Sequence, residues 1–79
     1  MKTPRNLYGR ELADHLIRHW EYVESRQAGS HIVIRTESPT GQSIPIPAHK
    51  PLRTGTLNAI LRMVSDHKKV SREDVLRGI

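Results

Sequence analysis

The stretch Gly29-Ser30-His31-Ile32-Val33-Ile34-Arg35-Thr36 decides how the rest of the chain reads. Glycine serves a tight turn, and the β-branched run after it favours a pleated strand. Side chains alternate along a strand, so Ile32 and Ile34 share one face while His31, Val33 and Arg35 share the other. Burying the isoleucines therefore turns His31 and Arg35 outward together. Imidazole is the one side chain whose ordinary pKa, ~6.5, lets it give and take protons near neutrality. A hydroxyl and a proton carrier, Ser30 and His31, thus stand together where a strand begins.

Towards the N-terminus, Tyr22 to Arg26 reads as a short strand and Gln27-Ala28-Gly29 as the turn between the two. Before it, Leu12, Leu16 and Trp20 recur every fourth residue with Ala13 and Ile17 beside them, one apolar stripe of a helix that starts near Gly9. Glu11 falls in its first turn, where the helix dipole favours a carboxylate. Tyr8 stands where serine or aspartate caps best, so this start is poorly capped by sequence. His15 and His19 have a spacing that suits zinc, but no third ligand is near and they read as surface histidines. Residues 1–7, with Pro4, lack periodicity and read as a loose arm.

Towards the C-terminus, Glu37 to Gly41 is a turn by its proline and glycine. Gln42 to Pro47 alternates Ile44 and Ile46 with Ser43, Pro45 and Pro47, and two prolines confine it to a sheet edge. A basic loop, Ala48 to Arg53, leads to Thr54, an expected N-cap. Leu57, Ile60, Leu61 and Val64 then mark a second amphipathic helix. Its N-terminus lies beside Lys50 and Arg53, a candidate phosphate site. Asp66 to Lys69 is a polar break, and Ser71 with Asp74 has the spacing that starts a short third helix. The sum is an α+β domain: helix, three antiparallel strands, helix, with both helices on the isoleucine face and the other face open. The boundaries are an arm at 1–7, a domain at 8–65 and a helical extension at 66–79.

Seventy-nine residues allow one small domain. The absence of cysteine excludes a disulfide scaffold or thiolate zinc site and suits a reducing cytoplasm. No segment reads as a membrane span or a signal peptide, and no cofactor or metal cluster is legible. Net charge is +5, and nine of thirteen cations are arginine, whose planar fork suits phosphate. Arg26, Arg35, Lys50, Arg53 and Arg62 fall in a stretch with one acid, Glu37, which is either a solvated basic surface or a nucleic-acid footprint.

Three pieces together carry a family resemblance: Arg26-Gln27-Ala28-Gly29-Ser30-His31, Ile44-Pro45-Ile46-Pro47-Ala48-His49, and Leu52 to Leu61. In that order and spacing they resemble the HicA (YcfA-like) toxins, over roughly Tyr8 to Met63. The resemblance implies a double-stranded-RNA-binding-like α-β-β-β-α fold, an mRNA interferase activity (endoribonuclease) and a HicB-type antitoxin partner. It also implies that His31 is catalytic. On that reading Arg26, Arg35, Lys50 and Arg53 hold phosphates, with Gly29 and Ser30 beside them, and His49 is a possible auxiliary proton carrier or a loop histidine meeting phosphate. Where the family usually has a cation before Gly-Ser-His, this chain has Ala28. Two other readings stay open: a non-catalytic RNA-binding module, and a protein-interaction domain that uses the Ile44–Ile46 edge.

Overall fold

A computed structural model describes residues 6–48 and 50–79. The order is α1 (Gly9–His19), β1 (Val23–Ala28), β2 (His31–Thr36), β3 (Gln42–Pro47), α2 (Thr54–Lys68) and α3 (Arg72–Leu76). The strands form one antiparallel sheet in the order β1-β2-β3. This is the expected α-β-β-β-α pattern with a short C-terminal helix.

Alternation does what the sequence asked of it. Ile32, Ile34, Ile44 and Ile46 are all buried on one face, opposite each other as Ile32–Ile46 and Ile34–Ile44. Leu12, Ala13 and Leu16 of α1 and Leu57, Ile60, Leu61 and Val64 of α2 close over them in one core. Val75 of α3 joins the same core with no exposure. Removing these apolar groups from water is the main force that holds so small a domain together.

Several local expectations shift. β1 begins at Val23 rather than Tyr22, because Glu21 turns the chain with φ +62° and sends the Tyr22 ring into the core. The β1–β2 connection then narrows to two residues, Gly29 and Ser30, with Ala28 opposite His31. A bulge between Glu24 and Arg26 adds a residue to β1. Arg53, not Thr54, is the N-cap of α2. That helix also runs through the expected break to Lys68, because its last turn is tied to the β2–β3 loop. Lys68 Nζ donates to the Thr36 hydroxyl and the Ser38 carbonyl, at 3.0 and 2.6 Å, and His67 Nε2 donates to the Thr40 carbonyl at 2.8 Å. Leu7, placed in the arm by sequence, is buried, and its carbonyl accepts from Leu52 N at 2.7 Å. The rest of the expected arm, residues 1–5, lies outside the described residues.

His15 is the clearest departure. It is buried, not on the surface, because α3 folds back over it: its Nε2 donates to the Val75 carbonyl at 2.7 Å. His19, whose ring centre is 4.9 Å away, stays exposed. Ser71 caps α3 as its spacing foretold, accepting from Asp74 N at 3.1 Å.

Candidate functional site

The face of the sheet away from the helices is built in three rows. His31 lies between Ala28 and Pro47, Val33 between Arg26 and Pro45, and Arg35 between Val23 and Ser43. Gly29 makes the first row possible. Its φ of +60° is the conformation that the first position of a tight two-residue hairpin turn demands, and glycine enters it without a Cβ penalty. Ser30 follows, its carbonyl accepting from Ala48 N at 2.8 Å. The turn is thus tied to the chain that leaves β3, and His31 stands exposed at its end.

The Ser30 hydroxyl lies 3.4 Å from His31 Nδ1, at the outer limit of a hydrogen bond. That contact is long for a hydrogen bond, and Nε2 makes none among the described residues. A second element meets this row from the helix side. Gly9 begins α1 so close to β3 that a Cβ there would stand 1.6 Å from the Pro47 carbonyl oxygen. Sequence reasoning did not single out Gly9, whose signal is only that a helix starts on glycine.

The expected cations fall in different places. Arg35 lies four residues along β2 from His31, about 13 Å away at strand rise. Its guanidinium is held by the Glu37 carboxylate and by the Ser43 hydroxyl, the latter at 2.8 Å. Arg26 belongs to the middle row and forms no ion pair with the described residues. Lys50 and Arg53 are exposed on the loop that enters α2, with Pro51 between them bridged to Tyr8. The first turn of α2 carries no acid, and nothing lies within 4 Å of where a Gly55 Cβ would point. That helix start is open to an anion. His49 lies outside the described residues. Among the described residues, no three His, Cys, Asp or Glu side chains come together as a metal site.

What this surface can do chemically follows from its parts. An exposed imidazole stands at the hairpin end, Arg26 lies in the next row, and Lys50 and Arg53 are exposed on the loop before α2.

A family model described as HicA toxin of bacterial toxin-antitoxin matches residues 9–64, from the first residue of α1 almost to the end of α2. The chain belongs to the HicA toxin family. As a HicA toxin it has an antitoxin as its counterpart. The match takes in Gly29, Ser30 and His31, the whole sheet and the loop with Lys50 and Arg53, whereas α3 lies beyond it. No curated protein and no solved structure matches this HicA toxin. No helix among its described residues is long and apolar enough to cross a membrane.

Proposed function

We propose that this toxin is an mRNA endoribonuclease in which His31 carries a proton during strand cleavage, and that a HicB-type antitoxin neutralises it in the cytoplasm. The observation that carries the reading is the exposure of His31 at the hairpin end, on the sheet face that both helices leave bare. Membership of a toxin family supports it from a separate direction.

RNA brings its own nucleophile. The 2′-oxygen attacks the adjacent phosphorus and loses its proton. The bond from phosphorus to the 5′-oxygen then breaks, and that oxygen takes up a proton. The products are a 2′,3′-cyclic phosphate and a 5′-hydroxyl. His31 performs one of the two proton transfers, a contribution of about 10²–10⁴ in rate. Ser30, through its hydroxyl at 3.4 Å, steers the ring. Arg26, Lys50 and Arg53 hold the strand by its phosphates, and Arg35, already matched by Glu37, contributes less. No step in this scheme calls for a metal ion, and cleavage should persist in excess chelator.

The decisive experiment is His31→Ala beside wild type in an RNA cleavage assay. The side chain is exposed, so the variant should fold, bind its antitoxin and still bind RNA, yet lose cleavage and growth arrest. Cleavage at the wild-type rate would sink the proposal. Wild-type protein that binds RNA without cutting it would instead mark a non-catalytic binding module.

A further inference from the structure

We infer that Tyr8, at the end of the sheet where His31 stands, stacks on a base of single-stranded RNA and so takes part in choosing which nucleotides lie next to the cleaved bond. The inference rests on the proposed RNA-cleaving function and adds a residue to it.

Three aromatic residues occur in the chain. Tyr22 is 1% exposed and Trp20 is packed partly against the core, whereas Tyr8 is 44% exposed. Nothing in its own helix asks for a ring. Tyr8 is the N-cap of α1, its side chain makes no capping hydrogen bond, and its backbone N–H is already satisfied by the Glu11 carboxylate at 3.1 Å. A large ring that keeps 44% of its surface in water, at a position that gains most from a small polar side chain, has surface to spare for a ligand.

Its surroundings say what the ring would meet. Tyr8 is bridged to Pro51, the residue that separates Lys50 from Arg53 two positions on. On its other side Gly9 abuts the Pro47 carbonyl, and Pro47 is the cross-strand partner of His31. The backbones of Tyr8 and His31 are therefore within about 15 Å of each other, by chain geometry and strand spacing. The most exposed of the three aromatics thus belongs to a residue whose backbone neighbours both the end of the sheet that carries His31 and the loop that carries Lys50 and Arg53. Unpaired bases are recognised mainly by stacking on such rings, because every base offers a π-face.

The test separates this inference from the reaction itself. Affinity for single-stranded RNA oligonucleotides is measured in the His31→Ala protein, with and without Tyr8→Ala, Tyr8→Phe or Tyr8→Trp. KM and kcat are measured for the same substitutions in the active protein. Tyr8→Ala should weaken binding and raise KM roughly tenfold or more, with kcat nearly unchanged. Tyr8→Phe and Tyr8→Trp should stay close to the parent, and the ranking of oligonucleotides by sequence should flatten in Tyr8→Ala. Melting temperatures of all variants are compared so that a loss of helix stability is seen as such. If wild type fails to cleave but Tyr8→Ala still weakens binding, the proposed reaction falls and the stacking role stands. If cleavage depends on His31 while Tyr8→Ala leaves affinity and KM unmoved, the stacking role falls alone. A Tyr8→Phe variant as impaired as Tyr8→Ala, or a defect confined to antitoxin binding, overturns it as well.

Discussion

His15 Nε2, on α1, donates to the carbonyl oxygen of Val75, on α3, across sixty residues of chain and 2.7 Å of space. Either protonation state of the ring can supply that donor. His15→Ala leaves the carbonyl without its partner, a loss of about 1–3 kcal/mol. In a domain of this size the melting temperature should fall by about 5–15 °C. Thermal unfolding followed by circular dichroism checks it, and RNA cleavage well below the transition should be unaffected. An unchanged midpoint would mean that Val75 finds another donor.

Gly9 gives a sharper result. A methyl group at Gly9 would collide with the Pro47 carbonyl oxygen at 1.6 Å, and a backbone oxygen cannot swing away as a side chain does. Gly9→Ala should cost at least about 3 kcal/mol, the upper part of the range for overpacking. Gly29→Ala is the useful control. There the space is open and only the φ of +60° resists, so about 1–2 kcal/mol is expected. Urea unfolding of the two variants should rank them in that order.

Alkaline pH should loosen the fold through Tyr22. Burial pushes its phenol from 10.0 up to about 12. The folded state therefore keeps the proton more tightly than the unfolded chain does. That contribution is complete below pH 10 and is lost as pH rises from about 10 to about 12. Urea midpoints measured between pH 9 and 12 should decline across that window, and Tyr22→Phe should decline less. The same slope in both proteins would assign the effect to other groups.

The cations should separate by their partners. Each phosphate contact on a single strand contributes about 0.7 to the slope of log affinity against log salt. Arg26→Ala, Lys50→Ala and Arg53→Ala should each lower the slope by about that amount. Arg35→Ala should lower it by less, because the guanidinium is already matched by Glu37. Equal losses at all four positions would show that RNA displaces Glu37.

Much of this was legible in the chain itself, and the reasons differ by element. Ile32, Ile34, Ile44 and Ile46 announce their face because strand alternation is local physics, and the spacing of Leu12–Leu16 and Leu57–Val64 announces two helices for the same reason. Ser71 and Asp74 spelled out a cap four residues long. What stayed hidden depends on chain that arrives from far away. His15 looks like a surface residue until α3 covers it. Gly9 looks like an ordinary glycine until β3 passes beside it. Polar residues at the end of α2 look like a break until His67 and Lys68 are seen gripping the loop after β2. At the candidate site, His31 could be placed on the outer face by counting residues, but the pairing of Arg35 with Glu37 and Ser43 could not.

All six residues of β1 are exposed. The helices cover β2 and β3, and α1 reaches β1 through the Arg10–Glu24 ion pair, at 2.8 Å. Peeling this strand away breaks ladder bonds but pulls none of its own side chains out of the core, so its opening costs less than global unfolding. The two sides of the hairpin consequently differ in stiffness. Ser30 and His31 are moored to the interior through β2 and Ala48, while Arg26 rides on a margin that can give way, and the proposed phosphate grip would then adjust to the curve of a strand without shifting the imidazole.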